Sequence, residues 1–121
     1  NSYLYRMKIR LVKKKTIAKY QIANASSRSS FDQWIDKLRN ANWETTINIK
    51  ETFGSEDLIG KSSNRVVFNI GGNNYRMICK YQFGRTYVHL FINWIGTHSE
   101  YDKLCDNELQ YTINQYWWKK D

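Results

Sequence analysis

Three consecutive stretches of alternating side chains in the second half of the chain constrain the fold more than anything else in it. Val66, Phe68 and Ile70 alternate with Arg65, Val67 and Asn69. Tyr75, Met77, Cys79 and Tyr81 then alternate with Arg76, Ile78, Lys80 and Gln82. A third run sets Val88, Leu90, Ile92 and Trp94 against Tyr87, His89, Phe91 and Asn93. A period of two sends neighbouring side chains to opposite faces, so each run reads as a strand with one buried face. Gly71-Gly72-Asn73-Asn74 supplies residues that tolerate positive φ between the first two runs, a hairpin signal, and Gly84-Arg85 turns into the third. Val88, Leu90, Ile92 and Trp94 are the expected core face of the third strand. Three such strands must be covered, and the rest of the chain has to supply helices for that.

The first half does so. Met7–Val12 alternates Lys8 and Arg10 with Ile9 and Leu11, a short half-exposed strand. From Lys13 to about Asn24, Ile17, Tyr20 and Ile22 suit a helix. After a polar break, Ser30 reads as an N-cap, with Gln33 completing a capping box. Phe31, Trp34, Ile35 and Leu38 then form one apolar stripe at helical spacing. A third helix spans Thr46–Phe53 and stops at Gly54. Thr97 caps a final helix with Glu100 at the reciprocal position. The expected fold is α+β in the order β-α-α-α-β-β-β-α, a small antiparallel-rich sheet with helices packed on one face. The chain has no proline and no repeats, which predicts one domain over 7–121. Residues 1–6, preceding Met7, are expected to be an N-terminal extension or an expression remnant.

The net charge of +8 is placed unevenly. Arg6, Lys8, Arg10, Lys13, Lys14, Lys15, Lys19 and Arg28 precede the first acid, Asp32, and the other eleven bases balance the eleven acids. Such a field suits a polyanion, nucleic acid ahead of an acidic protein, although a solubilising helix face is the bland alternative. Cys79 and Cys105 are isolated thiols without metal-ligand spacing, so no disulfide framework and no metal site are expected. Lys13-Lys14-Lys15 interrupts the N-terminal apolar run, and no stretch is long enough to span a bilayer, which predicts a cytoplasmic protein.

The face opposite the core would display Arg65 and Asn69 on one strand and Arg76 and Lys80 on the next. Tyr87, His89 and Phe91 add rings for stacking unpaired bases. From the residues alone this reads equally well as a solvated sheet face. His98 falls at the first position of the last helix, where free N–H groups favour an anion and the helix field favours a neutral ring. Tyr101 lies one turn on. Such a pair could move protons in metal-free RNA cleavage while a cation steadies the phosphorane, although a histidine at a helix start is more often an ordinary capping-region residue.

Four ordered segments carry a resemblance: Trp43-Glu44-Thr45-Thr46-Ile47-Asn48-Ile49-Lys50, Arg65-Val66-Val67-Phe68-Asn69-Ile70, Gly72-Asn73-Asn74-Tyr75-Arg76 and Gly96-Thr97-His98-Ser99-Glu100-Tyr101-Asp102. Across most of residues 7–103 the chain resembles the HigB family of toxin–antitoxin toxins, in the RelE-like superfamily of ribosome-dependent messenger-RNA endonucleases. The resemblance implies a RelE-like fold and a cofactor-free, metal-independent endoribonuclease. It implies catalytic roles for His98, Tyr101 and Arg76, with RNA contacts from Arg65, Asn69, Asn74, Lys80, Arg85, Asn93 and Lys103. The implied partners are a HigA-like helix-turn-helix antitoxin, the ribosome and messenger, and operator DNA mainly through the antitoxin, with no membrane. Family members commonly carry arginine where this chain has Asn93. The alternative is therefore a catalytically weak or inactive RNA-binding or interaction domain that kept the toxin fold. A plain DNA-binding module is disfavoured, because no second basic helix has helix-turn-helix spacing. Tyr111, Tyr116, Trp117 and Trp118 in the tail are expected to pack back onto the domain rather than dock a partner.

Overall fold

A computed structural model describes residues 6–54 and 56–114. The expectations for the N-terminal extension and for Tyr116, Trp117 and Trp118 fall on residues outside that range, apart from Arg6. The elements are β1 (Lys8–Val12), α1 (Lys15–Ala23), α2 (Arg28–Arg39), α3 (Ile47–Phe53), β2 (Glu56–Ile59), β3 (Arg65–Ile70), β4 (Tyr75–Phe83), β5 (Tyr87–Thr97) and α4 (His98–Asp106), with 3-10 turns at Ala25–Ser27 and Leu109–Tyr111. The strands form one sheet in the order β1-β5-β4-β3-β2. All pairings are antiparallel except β1 on β5, so the α+β, antiparallel-rich expectation holds.

The hairpin forms as anticipated, with Val67 opposite Ile78 and Asn69 opposite Arg76. Gly71 and Gly72 take φ of 64° in its turn, a conformation that costs glycine little. A Cβ on Gly71 would also fall 2.8 Å from Ser30 Oγ, where α2 crosses the turn. On one face of the sheet α1, α2 and α3 lay Ile17, Tyr20, Phe31, Trp34 and Ile49 against Phe68, Met77, Leu90 and their neighbours. Gly54 ends α3 at φ 78°, as expected.

Four expectations need correction. The strand β2 was not foreseen; its four residues, Glu56-Asp57-Leu58-Ile59, are too short and too acidic at the start to show a period. Helices also cover both faces rather than one. The α4 helix and the turn after it close over the β2–β3–β4 part of the second face, where Ile59, Val67, Ile78 and Leu104 form a smaller core with Trp94, Tyr101, Tyr111 and Ile113 packed around it. The cause is in the sequence: Val66-Val67-Phe68 and Met77-Ile78-Cys79 are apolar on both sides, as strands buried on both faces are.

Third, Trp94 leaves the core face expected for it. Cys79 pairs with Ile92 but Ile78 pairs with Trp94, so Asn93 is the extra residue of a bulge and the alternation flips there. Trp94 turns to the second face, and Ile95 returns to the first core. Fourth, α2 begins three residues earlier than a Ser30 cap allows. Ser27 holds the N-cap position, its hydroxyl donating instead to Asn24 O at 2.6 Å, and no capping box forms. In a run of Ser, Arg and Ser, several residues could have capped. On α1, Ile22 points to solvent.

Candidate active site

The chain turns from β5 into α4 without a loop, and local chemistry fixes that corner. Thr97 is extended at φ −79°, ψ 167°. Its hydroxyl accepts from Glu100 N at 3.2 Å, and Glu100 Oε1 accepts from Thr97 N at 2.8 Å. The anticipated capping box is therefore present, satisfying two helix-start donors at once. Before it, Gly96 lies so close to the indole of Trp94 that a Cβ would overlap the ring. His98 N donates to Asn74 O at 3.0 Å, tying the helix start to the β3–β4 turn. Asn74, expected on RNA, thus has a backbone role in holding this corner.

With the helix start fixed, His98, Tyr101 and Asp102 face a cleft of about 380 Å³ together with Arg76 and Asn69 of the sheet. Residues Asp57, Leu58, Ile59 and Gly60 form one wall, and Gln110 and Tyr111 another. The three expected catalytic residues are brought together, with Asn69 beside them.

Arg76 is 7% exposed. Its Nη1 donates to Tyr75 O at 3.0 Å and its Nη2 to Asn73 Oδ1 at 2.8 Å. Neither acceptor is an anion, so among the described residues a nearly buried positive charge lines the cleft on neutral hydrogen-bond partners, and an incoming anion would gain from it. Tyr101 is held above the ordinary phenol range chiefly by burial, then by a hydrogen bond with Cys105 and the nearby charge of Asp57; Arg76 acts in the opposite sense. Its hydroxyl therefore keeps its proton at neutral pH. The Nε2 of His98 lies 3.5 Å from Asp102 Oδ2. The Nδ1 is buried and has no hydrogen-bond partner among the described residues.

The remaining expected RNA contacts scatter. Arg65 is not on an open surface: its Nη1 donates to Ile113 O at 2.7 Å and Gln110 O at 3.2 Å, clamping the segment after α4, and burial lowers its pKa. Asn93 is buried in the bulge, donating to Asn114 Oδ1 at 3.4 Å, and does not line the cleft. Lys103 lies on the far side of α4, in a groove with Tyr20 and Trp94. Lys80 and Arg85 are exposed and outside the cleft lining. The other part of this sheet face carries His89 and Phe91, stacked at 6.2 Å, and Tyr87 under the Arg10 guanidinium at 4.4 Å.

Sequence reasoning missed roles for Asp102, Asp57 and Gln110. The first was legible as the i+4 partner of His98 on a helix. Asp57 rides on the unforeseen strand, and Gln110, whose Oε1 is buried without a partner, lies in a turn with no local signal. Among the described residues no group of three His, Cys, Asp or Glu could hold a metal ion, no helix is long and apolar enough to cross a membrane, and Cys79 and Cys105 are free thiols, not joined in a disulfide.

The family model described as HigB_toxin, RelE-like toxic component of a toxin-antitoxin system, matches residues 27–104. That span holds α2, α3, strands β2 to β5 and most of α4, including every side chain of the cleft except Gln110 and Tyr111. No curated protein matches the chain.

Proposed function

Because the chain belongs to the HigB family of RelE-like toxic components of toxin–antitoxin systems, we propose that it is a ribosome-dependent, metal-independent endoribonuclease that cleaves messenger RNA and arrests translation. The observation that carries this reading is the cleft itself, where Arg76, His98 and Tyr101 meet around a space that fits a phosphate and its flanking groups.

The chemistry divides among three side chains. His98 takes the proton from the 2′-OH at Nε2, the ring nitrogen that is not buried, as that oxygen attacks phosphorus, and Asp102 Oδ2, 3.5 Å from Nε2, favours the imidazolium that forms. The remaining N–H groups of Arg76 face the phosphorane, whose extra charge they stabilise in a site shielded from water. Tyr101, kept protonated by burial, gives its proton to the 5′-oxygen as the P–O5′ bond breaks. The products are a 2′,3′-cyclic phosphate and a 5′-OH end, and the two protein groups exchange protons with water to reset. The basic surface of Lys8, Arg10, Lys13, Lys14 and Lys15 supplies attraction for ribosomal and messenger RNA. A HigA-like antitoxin would silence the protein, and operator DNA would be contacted mainly through that partner.

The test is messenger cleavage on programmed ribosomes with end-group analysis. Each of His98→Ala, Tyr101→Ala and Arg76→Ala should fold yet lose about 10²-fold or more in rate. Full cleavage by a well-folded His98→Ala protein would remove His98 from the mechanism.

A further inference from the structure

The outer edge of β2 is a second surface that the cleavage reading does not use. This strand ends the sheet, so among the described residues the backbone groups on its outer side have no strand to pair with. Beside it lie two of the most exposed large aliphatic side chains, Ile47 at 71% and Leu58 at 51%. They flank a groove of about 330 Å³ that is also lined by Thr46, Lys50, Glu56 and Asp57. Glu56 is 6% exposed, and its Oε1 has no hydrogen-bond partner among the described residues. A nearly buried carboxylate with an unused oxygen costs stability unless a donor completes it.

In a chain of net charge +8, a groove that sets Glu56 and Asp57 beside Lys50 and two bare aliphatics suits a protein segment. The free edge offers main-chain pairing, the aliphatics offer contacts to alternate side chains, and Glu56 and Asp57 offer acceptors for a lysine or arginine between them. We infer that the β2 edge is the docking site of the antitoxin, which adds an extended segment carrying apolar and basic residues in alternation. The family supplies the occupant, since its members are the toxic half of a toxin–antitoxin pair. Asp57 and Leu58 also line the cleft of His98 and Arg76, so a strand seated on this edge stands at the cleft mouth and competes with the messenger.

The docking site rests on family membership, only the competition with the messenger rests on the cleavage reading, and the test reads binding alone. The protein is co-expressed with its antitoxin, and hydrogen exchange is compared between free protein and complex. Amides of Asp57, Leu58 and Ile59 should slow by about tenfold or more in the complex. The Ile47→Lys, Glu56→Gln double variant, with unchanged circular dichroism, should bind the antitoxin at least about tenfold more weakly. Equal exchange of the β2 amides in both states overturns the inference, as does wild-type affinity in the folded double variant. Should the double variant misfold, exchange on the wild-type complex decides the matter. Absence of messenger cleavage by the wild-type protein, with the β2 amides slowed and the double variant's affinity reduced as expected, would strike the proposed function and leave the docking site standing.

Discussion

Replacing Arg65 by methionine separates a structural clamp from an RNA contact. The side chain is buried, and its Nη1 bridges Ile113 O at 2.7 Å and Gln110 O at 3.2 Å. A hydrogen bond from a charged donor contributes about 1.5–3 kcal/mol. The desolvation cost of the guanidinium offsets part of two such bonds, and methionine keeps much of the apolar stem. The expected loss is about 2–4 kcal/mol. A domain of this size shifts by roughly 3–6 °C per kcal/mol, so Tm should fall by at least about 6 °C, with a matching drop in urea midpoint. Cleavage should weaken too, because Gln110 and Tyr111 form a wall of the cleft. An RNA contact would behave otherwise: stability within about 0.5 kcal/mol of wild type, and a salt dependence of binding shallower by about 0.7 in log–log slope. That second pattern would refute the clamp.

Three further outcomes are expected. Gly96→Ala forces a Cβ into the Trp94 ring and should cost about 1–3 kcal/mol or more by urea titration, with a changed near-ultraviolet circular dichroism signal from the tryptophans. Burial, then the charge of Glu100 and the neighbouring Tyr75, pushes the Tyr20 phenol up to about 12. The unfolded phenol ionises near pH 10, so stability should be level below that pH and fall between pH 10 and 12 by up to about 1.4 kcal/mol per unit. Thermal melts of Tyr20→Phe should lack that part of the decline. Reversing Lys13, Lys14 and Lys15 to glutamate should weaken ribosome binding and flatten its salt dependence, measured by titration across ionic strengths.

The alternating strands, the Gly71-Gly72 turn and the Thr97–Glu100 capping box were legible because each follows from a short-range rule acting on adjacent residues. The same rules placed His98 and Tyr101 on one side of a helix and Arg76 on the strand facing it. What escaped depends on distant partners. The bulge at Asn93 arises from pairing with β4, and nothing in Ile92-Asn93-Trp94 marks the residue to be skipped. Arg65 alternates like a surface residue, but the turn after α4 closes over it, a contact across nearly fifty residues. The strand β2 is held in place by its partner β3 and not by its own propensity. Lys103 and Arg76 looked equivalent as cations, and only the packing of α4 separates them.

The parallel pairing of β1 with β5 has a consequence for the order of events during synthesis. The strand β5, which lies between β1 and β4, is the last of the described strands to be made, and β1 waits until then for its neighbour. Such a connection closes a long loop before any contact rewards it, so the step is slow. His98 and Tyr101 follow directly on that strand. A ribosome carrying a partial copy of this chain therefore holds a peptide with neither the finished sheet nor the helix that completes the cleft, and truncated products lack the cleft on which the proposed activity depends. Toxicity would then depend on synthesis having passed α4.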